Sequence, residues 1–282
     1  MRQRATRQRA LLGACGVVAV LGAFSVHAEE KPLWEFGLGV GAIAFPDYRG
    51  SDETHVYPVP VPYFVYRGEF LKADREGLRG LLFDREFAEL SISADATIPV
   101  NSEDNAARRG MPDLKPTVEL GPSLEVHLWH NERRTSKLDV VLPLRVPVTL
   151  ESSPRSLQWI FAPRLNIDFA DFAGHTGWNF GAGVGPVFAA ERFHDYYYSV
   201  PARFATPTRP EYRADGGYSG MHVLAALSKR FPKYWVGAFL RYDWLAGAQF
   251  EDSPLVRREH SLAGGFGIAW MIGESKRKVE AD

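Results

Sequence analysis

Nucleophilic chemistry on a strand needs the nucleophile and its base on one face, two residues apart, because successive side chains point to opposite sides. The chain holds eight histidines, and none beyond residue 28 stands two positions before a serine. His260 and Ser261 are adjacent, so a strand would part them. His127 and His130 are three apart, which divides them in the same way and spoils a shared metal. His194-Asp195 would suit an outer-membrane protease, yet no matching aspartate pair accompanies it. The glycines at 37, 39 and 41 and at 181, 183 and 185 recur with strand period, not with the spacing of a phosphate-binding loop. Cys15 is the single cysteine, which leaves no disulfide framework and no cysteine-based metal module. These histidines are read as structural or surface residues, and the expectation is a protein that is not an enzyme, with no cofactor and no bound metal.

Contact chemistry is better represented. Residues 191–217 interleave Phe193, Tyr196, Tyr197, Tyr198, Phe204 and Tyr212 with Arg192, Arg203, Arg209 and Arg213. Aromatic and arginine side chains are what binding surfaces enrich. Two readings stand side by side. The segment is an external contact loop, or it folds over its scaffold and sets its arginines on lipopolysaccharide phosphates.

The scaffold itself is legible in composition and pattern. The chain has 282 residues, of which 45% are hydrophobic and 24% charged, with a formal net charge of −1. That is too apolar for a disordered chain and too balanced for a nucleic-acid binder. Residues 1–28 read as a secretory signal: Arg2, Arg4, Arg7 and Arg9, an apolar run over residues 11–24, and small residues before a cut after Ala28. The rival reading, a lipoprotein cut before Cys15, leaves almost no apolar segment after Arg9. No later segment approaches the ~20 uninterrupted apolar residues of a membrane helix.

Period two runs through the rest. Over residues 138–150 every even position is apolar, from Leu138 and Val140 to Val148 and Leu150, against Asp139, Arg145 and Thr149. Similar alternation marks residues 34–45, 88–98, 120–130, 157–169, 178–190, 234–250 and 262–272. With less regular stretches near 55–66, 69–75, 77–84 and 218–230, the pattern predicts about twelve strands. Many of these runs are well over the usual globular strand of about 5–6 residues and long enough for the ~9–11 of a transmembrane strand. The long connections all follow odd-numbered strands, as in a barrel with both termini in the periplasm. Trp34, Trp129, Trp178, Trp235 and Trp270 fall near the periplasmic ends, although Trp129 and Trp235 have inward parity.

The fold expected is therefore all-β: a closed antiparallel transmembrane barrel over residues 29–272, with a polar periplasmic tail over 273–282. Its lumen would be lined by Gly37, Gly39 and Gly41 and by the pairs Asp139 with Arg145, Arg164 with Asp168, and Arg241 with Asp243. The glycines leave a bare stretch of wall at the closing seam, either to relieve crowding or to make room for a solute. Pro58, Pro60 and Pro62 share one parity, so one flank of their strand is expected to lose its ladder.

Several strings also resemble a known family. Phe45-Pro46-Asp47-Tyr48-Arg49-Gly50-Ser51, Arg109-Gly110-Met111-Pro112-Asp113-Leu114, His194-Asp195-Tyr196-Tyr197-Tyr198-Ser199-Val200 and Asp252-Ser253-Pro254-Leu255-Val256 are similar to those of the MipA/OmpV family, in order along the chain. The resemblance implies an outer-membrane barrel of a Gram-negative cell. It further implies a scaffold that holds a lytic murein transglycosylase against a penicillin-binding protein, and it supplies no catalytic set. The alternative is a narrow channel or a porin-like protein of solute or antibiotic response. Outer-membrane lipid and lipopolysaccharide are the other expected partners, and nucleic acid is not one.

Overall fold

A computed structural model describes residues 30–68, 71–74 and 77–280. The expected signal segment and Cys15 lie outside the described residues. Twelve strands form the wall: β1 (Trp34–Pro46), β2 (Thr54–Arg67), β3 (Leu71–Asp74), β4 (Gly77–Arg85), β5 (Ala88–Ala96) and β6 (Thr117–His130). They continue as β7 (Ser136–Thr149), β8 (Ile160–Phe161 and Arg164–Phe169), β9 (Trp178–Ala189), β10 (Gly217–Arg230), β11 (Tyr234–Trp244) and β12 (His260–Glu274). Pro163, which lacks an N–H, sits in the break that splits β8. Each strand pairs antiparallel with its neighbour in sequence, and β12 pairs with β1, so the ladder runs in a ring.

Exposure along the strands is inverted relative to a soluble protein. On β1, Trp34, Phe36, Leu38 and Val40 face out, with Val40 62% exposed, while Glu35 between them is 5% exposed. The same inversion puts Leu240, Leu262 and Phe266 outside and Glu89, Ser91, Glu119, Asp139 and Asp243 inside. An apolar belt around a polar interior is stable only where the surroundings are hydrocarbon, and the ring of ladders satisfies the backbone there along most of the wall, part of one flank of β2 excepted. The only α-helix among the described residues, α1 (Glu191–Tyr198), is too short to cross a membrane. β1, β2, β6, β7 and β12 have 13 to 15 residues, at about 3.3 Å each, which spans a bilayer even when tilted.

The connections are asymmetric. Residues 47–53, 97–116, 150–159, 190–216 and 245–259 emerge at one end, and tight turns such as 86–87 and 231–233 at the other. The long loops carry the one conventional hydrophobic core found among the described residues. Tyr48, Val100, Met111, Leu114, Leu157, Tyr197, Tyr198, Val200, Leu245, Phe250 and Leu255 pack there, so all five loops contribute. Full burial of such side chains stabilises by about 1.5–3 kcal/mol each, and the result is a cap over the mouth.

Four expectations change. The alternation over 157–169 begins its strand only at Ile160, because Leu157 turns into the cap. The alternation over 234–250 ends its strand at Trp244: Gly247 takes φ 77° in a turn, and Leu245 and Phe250 are fully buried in the cap. Trp129 does not face inward, since a bulge between His127 and Trp129 turns it to the lipid side, where it is exposed. The polar tail is not free along its length. β12 runs on to Glu274, and Lys278–Glu280 pairs with Glu30–Pro32 as a small ribbon at the short-turn end.

The proline strand behaves as its parity predicts. β2 is laddered to β1 from Thr54 to Tyr66. On its other flank only Tyr66 and Arg67 have ladder partners among the described residues.

Candidate functional site

The structure offers two polar assemblies, the cap and the lumen. The cap is built around the loop strings singled out above. Tyr48 donates to the Leu255 carbonyl at 2.8 Å, and Ser253 donates to the Tyr198 carbonyl at 2.6 Å. Tyr198 donates to the Arg49 carbonyl at 3.1 Å and stacks on Phe250 with ring centroids 3.6 Å apart. Arg108, almost wholly buried, donates to the Tyr197 carbonyl at 3.0 Å and lies over the Tyr48 ring. Burial raises the Tyr48 and Tyr198 phenols above their ordinary range, pushes Tyr197 up to about 12, and lowers the Arg108 guanidinium. None of these groups changes charge near neutral pH.

The expected contact loop is thereby divided. Tyr197 and Tyr198 are buried, and Phe193, Tyr196 and Tyr212 pack against the same core, so the aromatics look inward rather than toward a partner. Arg209 donates to the carbonyls of Phe204, Ala107 and Arg109, which ties two loops together. Arg192, Arg203 and Arg213 stay on the outer surface, the last paired with Glu191. His194 is buried, its Nδ1 2.6 Å from the Asp215 carbonyl and its Nε2 3.0 Å from the Ser219 hydroxyl. Burial holds its imidazole below the ordinary range. That neutral ring donates at Nδ1 and accepts at Nε2. Asp195 beside it is exposed and turned away, so the pair is no catalytic dyad.

The lumen is lined with paired charges, in combinations the sequence only partly shows. Arg241 and Asp243 meet at 3.0 Å as expected, and Arg49 closes on Asp243 from the loop above at 3.0 Å. Asp139 does not pair with Arg145. It meets His127 at 2.9 Å and Lys137 at 3.5 Å, whereas Arg145 reaches Glu119 at 3.3 Å and Asp95 at 3.6 Å. Side chains on adjacent strands stand closer than residues six apart on one strand, and the register decides which meet. Asp168 lies 4.0 Å from Lys137, and Arg164 shares its inward face. At the short-turn end Glu35 holds Arg67 at 2.9 Å and Arg230 at 2.8 Å, a cluster the sequence reading missed although Glu35 has inward parity.

Gly37, Gly39 and Gly41 do line the inside, but the wall there is not bare. A Cβ on Gly39 would sit 1.7 Å from the Ile268 carbonyl oxygen of β12, so the neighbouring backbone already fills that space. The glycine permits a sharp corner in the sheet.

Among the described residues, two groups have metal-ligand residue types. Glu125, His127 and Asp139 bring their ligand atoms within 4.8 Å of one another, as do Asp47, Glu53 and His55. Lys137 stands 3.7 Å from Glu125 and 3.5 Å from Asp139, supplying the positive charge a cation would bring. In the second group Asn105 donates to Asp47 and the Ala106 amide to Glu53. Side chains and backbone of the chain itself thus contact both groups.

With an inside-out barrel and a cap built from those loop strings in view, the comparison that decides the family is direct. Residues 38–272 match the family described as MltA-interacting protein MipA. The chain belongs to that family. No match appears among curated protein sequences. Among solved structures, the outer membrane protein OprG from Pseudomonas aeruginosa is similar at 8% identity, with 86% of this chain and 94% of that one covered and a TM-score of 0.22. The P. putida toluene transporter TodX is similar at 10% identity, covering 88% and 69%, with a TM-score of 0.28. Superpositions that loose carry no argument, and the barrel rests on its own ladder. A MipA-family protein with this architecture is an outer-membrane barrel.

Proposed function

We propose that this barrel is a non-enzymatic docking scaffold whose short-turn end, in the periplasm, holds a lytic murein transglycosylase and with it a penicillin-binding protein. The observation that carries the reading is the cap. Its core draws on all five long loops, so the outer mouth is packed shut and an open axial pore is disfavoured. The family's description as MltA-interacting protein supports the choice of partner. The ribbon of Glu30–Pro32 and Lys278–Glu280 adds an ordered surface beside turns that are otherwise small. Arg67 donates to the Pro32 carbonyl at 2.7 Å and anchors that ribbon to the wall. At the other end, Arg192, Arg203 and Arg213 suit lipopolysaccharide phosphates.

The test uses the detergent-solubilised full chain and a version ending at Lys276, which removes the second strand of the ribbon and leaves β12 intact. Purified lytic transglycosylase is expected to bind the full chain and to bind the shortened one several-fold more weakly. Binding no tighter than to an unrelated barrel overturns the scaffold. Stepwise conductance in planar bilayers would favour the narrow channel instead.

A further inference from the structure

Among the described residues, the wall of the barrel is not laddered over its full height. β3 has four residues, and β4 returns beside it with Asp74 opposite Gly77. β5 is laddered to β4 only as far as Ser93, and its residues 94–96 pair with β6 alone. Among the described residues, the flank of β2 from 54 to 65 thus faces a slot rather than a strand.

The prolines make that slot permanent. Pro58, Pro60 and Pro62 stand opposite Ala42, Val40 and Leu38. Alternate residues of an antiparallel strand bond to alternate neighbours, so one parity of β2 serves β1 and the other serves the slot. Proline has no N–H to give, and its parity is that of the slot. A strand from a second copy would meet an edge with three donors missing. The slot also lies at membrane depth, because Leu38 and Val40 belong to the exposed apolar belt.

Behind it the lumen has an apolar stretch. Its floor is Tyr63 against Trp235, ring centroids 5.7 Å apart, beside the Glu35–Arg67–Arg230 cluster. Its roof is the cap with Arg49 and Asp243. The ladder row from Tyr57 through Ile43, Gly265 and Phe239 to Ala226 runs around the inner wall away from the slot. Phe239 and Leu224 share the inward face yet are 41% and 38% exposed, so open space surrounds them. Largely apolar walls around open space, with the charge of Arg241 opposite Leu224, suit an amphiphile better than water.

We propose that the slot is a lateral portal, through which an amphiphile dissolved in the bilayer, with an acyl-like body, enters this chamber. The cap closes the axial route, and the sideways route is the one the ladder leaves open. The proposal concerns the wall and stands apart from docking at the short-turn end.

Single cysteines in a Cys15→Ser background test it by bimane fluorescence in vesicles of phosphatidylcholine bearing a mid-chain nitroxide. Val40→Cys marks the lipid face, Val59→Cys the inward face beside the slot, and Asn166→Cys the inward face of fully laddered wall. Quenching at Val59→Cys should approach that at Val40→Cys and exceed that at Asn166→Cys several-fold. Quenching at Val59→Cys no greater than at Asn166→Cys overturns the portal, as does equal strong quenching of both inward probes. Val61→Cys repeats the measurement if Val59→Cys loses the heat-modifiable migration of a folded barrel.

Discussion

Replacing Phe250 by alanine asks whether the cap opens as one unit. Phe250 is fully buried, stacked on Tyr198 and edge-on to His194 at 4.7 Å. A buried Phe→Ala change costs about 3–5 kcal/mol, from lost transfer energy and the cavity left behind. The stacked ring pair accounts for about 0.5–1.5 kcal/mol of such an effect. At about 4 kcal/mol, and about 1.4 kcal/mol per power of ten, the opening equilibrium of the cap shifts by nearly three powers of ten. Arg192, Arg203 and Arg213 are exposed trypsin sites on the same loops. Cleavage follows the open population when reclosing outpaces the protease. Trypsin should therefore cut the Phe250→Ala cap at least two powers of ten faster than the parent, while the strands keep their heat-modifiable migration. Phe266→Ala is the control, since Phe266 faces lipid and leaves a gap that lipid refills. An acceleration of less than about tenfold, or an equal effect from Phe266→Ala, refutes a cooperative cap.

Further tests probe other parts of the molecule. Burial keeps the folded His194 neutral, whereas the unfolded cap takes up a proton as pH falls through about 6.5. The His194 contribution is complete above that pH and is lost as pH drops toward the lower folded value. The opening equilibrium of the cap, taken from amide exchange after division by the intrinsic rate at each pH, should rise on acidification more steeply in the parent than in His194→Gln, and equal slopes would contradict the assignment. Gly39→Ala should abolish the folded, heat-modifiable form, because its Cβ meets backbone of β12. Gly181→Ala should be tolerated, because its Cβ meets only the movable Asp168 side chain at 2.7 Å. Equal folding of the two glycine variants would show that β1 and β12 can separate at the seam.

The wall was legible because a strand between lipid and lumen must alternate, and residues 138–150 could hardly do otherwise. Prolines at 58, 60 and 62 were legible for the same reason: parity decides which neighbour loses its bonds. Charge pairing was legible where it runs along one strand, as in Arg241 and Asp243. It was illegible where register decides, so His127 of the neighbouring strand, not Arg145, turns out to face Asp139. The cap could not be read at all. Leu157 and Phe250 continue the alternation of their strands by coincidence, and their burial depends on five loops that share no period. The bulge at His127 hid Trp129 in the same way, since one extra residue reverses every later face.

The cap also bears on how the chain stays where it is put. Before the loops reach the far side of the membrane they are separate polar segments, free to slip back. Once together they hold Phe250, Leu245 and Leu255 in a dry core. They also hold Arg108 and Arg209 by hydrogen bonds to the carbonyls of other loops. Withdrawing any one loop would mean unpacking that core and dragging a guanidinium through hydrocarbon, which is costly at the centre of a bilayer. The last loop, residues 245–259, supplies Leu245, Ala248, Phe250 and Leu255 together. Its arrival makes insertion one-way, like a pin spread open after it has passed through the plate.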